Sequence, residues 1–190
     1  MSKTVWRGST LLAPVPPALV VCGDAESPNV LTVAWTGIIN SHPPKTYVSV
    51  RPERYSHGII SERGELTINL PTKELVRAVD FCGVRSGRDT DKFAKCGLTP
   101  VPASEVSAPI IDECPIALEC KVFDRVSYGT HDMFLCDIVA VDADDSCIDK
   151  SGKLDLSRAG LIAYSHGEYF ALGQRLGKFG FSVRRRHKKR

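Results

Sequence analysis

The 190-residue chain is long enough for one sizeable core, and its 43% hydrophobic and 25% charged residues are the ordinary balance of a globular protein. Its formal charge of +3 sits at the end of the chain: residues 184–190 hold six of the 25 Lys and Arg, leaving 19 against 22 Asp and Glu, a body near −3. No apolar stretch approaches the ~20 residues that span a bilayer, which excludes a membrane-spanning helix.

In chain order, the first half reads as short runs rich in β-branched residues. Ala18–Gly23, Val30–Trp35, Tyr47–Val50 and Leu66–Leu70 are each bounded by Pro, Gly, Asn or Asp, the signature of strands. Three short helices interrupt them. Ser56–Arg63 ends at Gly64, Lys73–Cys82 follows a candidate N-cap at Thr72 and ends at Gly83, and Asp91–Cys96 ends at Gly97. In the second half Ile116–Val126 alternates, with Leu118, Cys120 and Val122 on one face and Glu119, Lys121 and Arg125 largely on the other. Met133–Val141 returns after a turn around Tyr128 to His131. A last hairpin folds Leu161–Tyr164 onto Tyr169–Leu172 across Ser165-His166-Gly167. The sum is six to eight strands with few helices, without the alternation of strand and helix that builds a parallel sheet. An antiparallel barrel, closed or nearly so, is the expected architecture. It forms one domain over residues 1–183, followed by a basic tail, 184–190, that reads as a solvating terminus; contact of that tail with nucleic acid or membrane is not expected.

Seven cysteines at odd spacing, with no C-x-x-C pair, read as free thiols in a reducing compartment. Residues 1–10 carry no apolar signal segment, and the expected location is cytoplasmic. The usual catalytic motifs are missing: no dinucleotide fingerprint, no P-loop, no metal-binding H-E-x-x-H, no nucleophile elbow. The five histidines lie far apart, so neither a metal site nor a catalytic side chain is assigned.

One region is richer in chemistry. Between Asn29 and Asn69, Trp35-Thr36-Gly37 stand at a strand end before a Pro-Pro turn, and Ser49-Val50-Arg51 end the next strand. Arg54-Tyr55-Ser56 then lead into a helix. Hydroxyls, backbone N–H groups, a helix start and arginines gathered in this way can hold a phosphate, and Trp35 or Tyr55 can cover a planar ring. By residue type alone a turn-rich surface around a core Trp is the competing reading. A second polar, glycine-punctuated loop runs from Asp80 to Phe93.

The order and spacing of PNVLTVAWTGI, PPKTYVSVRPERYSHGII, GELTINLP, VDFCGVRSGRDTDKF, DECPIALEC, LIAYSHGEYFALG and GKFGFSV resemble the flavin reductase-like, FMN-binding split-barrel family, in its flavoredoxin branch. The resemblance implies a mainly β fold, a six-stranded antiparallel Greek-key split barrel with a few short helices, that forms a homodimer and binds FMN near the subunit interface. It places Trp35, Thr36 and Gly37 against the ring and the backbone of Ser49, Val50 and Arg51 at its polar edge. Arg51, Ser56 and Lys92 fall at the phosphate, with Asn29 and Tyr55 in the same binding set. Asn69, Cys82, Gly83 and Ser86 line the ribityl side, and Tyr164 and His166 reach toward the ring. It also implies electron transfer from NADH or NADPH through flavin to an acceptor. The alternative is a non-enzymatic carrier working between protein partners.

Overall fold

The computed structural model describes residues 1–183; the basic tail expected at 184–190 lies outside the described residues. The strands are β1 (Ala18–Cys22), β2 (Asn29–Val33), β3 (Thr36–Ser41), β4 (Pro44–Val50) and β5 (Glu65–Leu70) in the first half. In the second they are β6 (Pro100–Val101), β7 (Ile110–Ile111), β8 (Ile116–Ser127), β9 (Asp132–Ala143), β10 (Ile162–Ser165) and β11 (Glu168–Ala171). The helices are α1 (Tyr55–Arg63), α2 (Val76–Val84), extended at its start by a 3-10 turn over Lys73–Leu75, and α3 (Lys92–Cys96).

One antiparallel sheet in the order β2-β1-β5-β8-β9-β4-β3 carries the fold. Seven strands pair in it, not the six expected, and β2 and β3 are its two edges, so the barrel stays open. The additional strand is β3. Trp35-Thr36-Gly37 do not close a strand before the Pro-Pro turn; the chain bends at Ala34 and Trp35, and Thr36 opens a new strand against β4. The sheet still curls onto itself. Leu31 and Val33 of β2 share one cluster with Val48 and Val50 of β4, around Phe134 of β9, and the backbone N–H of Ser49 donates to Trp35 O at 2.9 Å.

Side chains alternate about the sheet as a period of two demands. Ala18, Val20 and Cys22 of β1 point into this barrel core with Leu66, Ile68, Cys120 and Cys136, and Ile60 of α1 plugs it. Leu19 and Val21 point the other way, into a second cluster with Val79 and Cys82 of α2, Phe93 of α3 and Ile111 of β7. Every residue of β1 is therefore buried, and each such Val or Leu contributes about 1.5–3 kcal/mol of burial.

Two local expectations need correcting. Gly83 does not end the second helix; α2 runs through it to Val84, and a Cβ at Gly83 would meet Thr32 of β2 at 3.4 Å, an ordinary packing contact. Gly64 and Gly97 do end their helices, with φ of 67° and 65°. Glu119 faces away from the barrel core as expected, yet it is fully buried. Residues 104–106 fold over it: its carboxylate accepts from Ser104 N and Oγ at 2.9 and 2.6 Å, and from Glu105 N and Val106 N at 2.6 and 3.1 Å.

Candidate functional site

A cleft opens where the barrel core meets the helical layer. Its floor is β2, whose Leu31 faces the barrel while the Thr32 hydroxyl donates to Val79 O of α2 at 2.5 Å, tying sheet to helix. The segment from Arg51 to Ser56 forms one wall, and the C-terminal end of α2 the other. The cleft has two joined hollows, of about 350 and 320 Å³, that share Leu31, Thr32, Arg51, Arg54, Gly83 and Val84. Both fall in the size range of small-ligand sites.

The smaller hollow is lined by cations. Arg51, Arg54, Arg85 and Lys92 all border it, with the hydroxyls of Ser56 and Ser86. The first turn of α1 faces it. That helix starts at Tyr55, has no acidic residue in its first turn, and its N-cap, Arg54, makes no side-chain capping bond. The free N–H groups and the positive end of the helix dipole are left for an anion. Lys92 gives the sharpest signal. It is buried, and among the described residues its ammonium meets no carboxylate, donating only to Cys82 O and Arg85 O, each at 3.3 Å. Burial pulls its pKa below the usual lysine range, and Arg54 pulls the same way. A buried cation held by two long bonds to carbonyls is a site prepared for an anionic ligand.

The larger hollow is bordered by rings. Trp35 is 43% exposed, so it is not a core Trp. Its ring lies 4.5 Å from that of His131, tilted by 38°. Tyr164 and Tyr169 also border it, their rings paired at 5.3 Å, with Ser49 and Asp80 supplying polar atoms. Burial and the nearby Arg51 push the His131 pKa down, favouring its neutral form. Flat apolar walls beside a cation-lined pocket suit a ligand with a planar end and an anionic end.

The structure brings together most of the residues singled out from the sequence. Trp35, Ser49, Val50, Arg51, Tyr55, Ser56, Cys82, Gly83, Ser86 and Lys92 all border one hollow or the other. Others stand behind them. Asn29 is buried and donates from Nδ2 to Ser56 Oγ at 2.6 Å, fixing that hydroxyl at the hollow. Thr36 donates to Tyr47 O at 2.6 Å, and a side chain at Gly37 would meet the Tyr47 ring at 3.3 Å; both belong to the β3–β4 ladder beside the cleft. His166 sits at the β10–β11 turn with φ of 51°, in a separate hollow with Trp35, Tyr164 and the N-terminal segment. Asn69 is not at the cleft: its amide is committed to Leu19 O, Thr67 Oγ1 and Ile111 N at 3.1, 3.0 and 2.9 Å. Thr32, Asp80, Arg85, Gly87, His131 and Tyr169 were not singled out. Arg85 and Gly87 had a usable signal, since they stand in the same polar loop as Ser86. A side chain at Gly87 would strike Asn29 Oδ1, so only glycine lets this loop close over the hollow.

Comparison with known proteins bears on this geometry. Residues 11–173 match the family described as flavin reductase like domain. An uncharacterized protein of Archaeoglobus fulgidus is 35% identical over 159 residues, 84% of this chain and 88% of that one. The FMN reductase (NADH) RutF of Pseudomonas syringae is 27% identical over 107 residues, 54% of this chain and 56% of that protein. Among solved structures, flavoredoxin of Desulfovibrio vulgaris (Miyazaki F) superposes with a TM-score of 0.89 at 35% identity, over 96% of this chain and all of that one.

Proposed function

The chain belongs to the flavin reductase-like family, and from that premise we propose that it binds FMN in the two-part cleft and passes electrons from a reduced nicotinamide to flavin or another acceptor. One observation carries this reading: a hollow with aromatic walls opens directly into one where a buried, carboxylate-free Lys92 and a helix start await an anion. In this reading Lys92, Arg54 and the first N–H groups of α1 hold the phosphate, and Asn29 keeps the Ser56 hydroxyl turned toward it. Trp35, Tyr164 and Tyr169 flank the ring, while Ser49 and Thr32 offer polar contacts along its edge. Leu31, in the β2 floor, excludes water from beneath. When bound, the flavin supplies the hydride and one-electron chemistry that no side chain of the cleft offers. The protein's part is orientation, charge pairing and control of access.

A second reading, a non-enzymatic carrier between protein partners, is favoured by the likeness to flavoredoxin over nearly the whole chain. In either case a homodimer is the proposed assembly. The exposed apolar side chains of Ile38 and Ile39 on edge strand β3, and of Leu176, Phe179 and Phe181 beyond β11, support it. The test is an absorption spectrum of the freshly purified protein, followed by anaerobic addition of NADH and then NADPH. Bleaching of a flavin band by either nucleotide supports the reductase and names its donor. Bound flavin that neither reduces moves the assignment to the carrier. A protein that takes up neither FMN nor FAD refutes both.

A further inference from the structure

The cation-lined hollow is built against a pair of thiols that flavin chemistry does not require. Cys82 lies on α2 and borders the hollow, Cys96 lies at the end of α3, and their sulfurs are 4.0 Å apart. The two sit differently. Cys82 is 1% exposed, whereas Cys96 is half-buried and opens onto the outer face of the α2–α3 layer beside Phe81 and Lys95. The same residue, Cys82, accepts the Lys92 ammonium on its carbonyl, and Lys92 stands one helical turn before Cys96 on the five-residue α3. The sulfur pair and the proposed phosphate cation are thus two ends of one short helix, fastened to one residue of α2.

We propose that Cys82 and Cys96 are a reversible redox site, closing to a disulfide under peroxide, and that the bond slows release of FMN by pinning α3, and with it Lys92, to the cleft wall. The second half of this proposal rests on the FMN reading given above; the first does not. The chemistry balances with hydrogen peroxide as the two-electron oxidant. The accessible Cys96 thiol is oxidised to a sulfenic acid with release of one water. The Cys82 sulfur then attacks the Cys96 sulfur, the S–O bond breaks as the S–S bond forms, and the Cys82 proton leaves with the hydroxyl as a second water. A dithiol reductant returns both thiols and is itself oxidised. The order follows from access: Cys96 is half-buried while Cys82 is 1% exposed, so peroxide meets Cys96 first. Closing the pair requires the sulfurs to move from 4.0 Å to ~2.05 Å.

The experiment treats the flavin-loaded protein with graded hydrogen peroxide, alkylates remaining thiols in denaturant, and reads intact mass and a non-reducing digest. The expected result is five alkylated thiols of the seven, a crosslink between the peptides holding Cys82 and Cys96, and full reversal by dithiothreitol. FMN release, followed by fluorescence on dilution, is expected to be at least threefold slower in the oxidised form. Cys96→Ser should give six alkylated thiols before and after mild peroxide, and one release rate in both. Seven reactive thiols after peroxide, or Cys96 driven to a sulfinic acid with Cys82 still alkylated, would overturn the redox site. A disulfide that forms without changing release overturns the coupling alone. Failure to bind flavin in either state overturns the FMN reading and leaves the crosslink to be judged by mass.

Discussion

Replacing Lys92 with Met separates a ligand-binding cation from a structural one. Methionine keeps most of the stem volume and removes the charge. In the wild type the ammonium is buried, its two acceptors are carbonyls at 3.3 Å, and its pKa is held down by burial. Charge-assisted bonds to a phosphate contribute about 1.5–3 kcal/mol, so Lys92→Met should raise the FMN dissociation constant roughly 10- to 150-fold. The flavin-free protein should melt at the same temperature or higher, because a buried charge with weak partners is replaced by an apolar side chain of similar size. Fluorescence titration with FMN and thermal unfolding with and without ligand read the two effects independently. The pH dependence has a fixed sign. A bound phosphate raises the lysine pKa above its depressed free value, so binding takes up a proton at alkaline pH. Affinity is then full below the free-state pKa and falls as pH rises above it. In Lys92→Met that alkaline fall should vanish. A dissociation constant within twofold of wild type, or a flavin-free variant that loses several degrees of stability, would refute the reasoning and make Lys92 a structural residue.

Three further outcomes are expected. Trp35→Ala should change the position or quenching of the bound flavin's absorption and fluorescence, since the half-exposed indole stacked near His131 borders the larger hollow; an unchanged spectrum would detach Trp35 from the ring. Gly87→Ala should cost about 1–3 kcal/mol in thermal unfolding and weaken FMN binding, because the new methyl displaces the Asn29 side chain that holds Ser56. Asp142→Asn should raise stability at neutral pH. Among the described residues the Asp142 Oδ2 is buried without a hydrogen-bond partner, and burial, with Glu119 adding to it, lifts its pKa above the unfolded value of ~3.9. The native state therefore holds a proton that the unfolded state gives up, so wild-type stability falls as pH rises through the raised pKa, and the variant should lose that fall.

Much of the fold is legible because burial repeats at short range. The β-branched runs of β1, β2, β4 and β5 alternate into the two clusters, and Gly64 and Gly97 end helices that need a left-handed cap. The misses come from contacts that no single segment carries, across the β3–β4 hairpin or between segments distant in sequence. Strand β3 presents Ile38 and Ile39 to solvent, and its pairing with β4 is what makes it a strand. Gly83 reads as a helix terminator and is instead a contact with Thr32, while Glu119 reads as a solvent residue until the 104–106 loop supplies its donors. Asn69 near the end of β5 and Asn29 at the start of β2 are the same residue type, yet one amide is committed to Leu19 O, Thr67 Oγ1 and Ile111 N and the other points a serine into the cleft. Nothing local distinguishes them.

The same argument explains why no short motif marks the site. Its cations come from the start of α1, the end of α2 and the start of α3, and its rings from the bend after β2, the β8–β9 turn and the β10–β11 hairpin. Strand β2 joins three of these parts, with Leu31 in the barrel, Thr32 bonded to α2 and Asn29 bonded to α1. Cations gathered from separate segments repel one another, and an anion bound among them offsets that cost. In the proposed reading the anion end selects the ligand's charge, and the joined ring-walled hollow selects its shape. Recognition depends on the spacing between two halves of a cleft, a quantity fixed by the sheet's curl rather than by any run of residues.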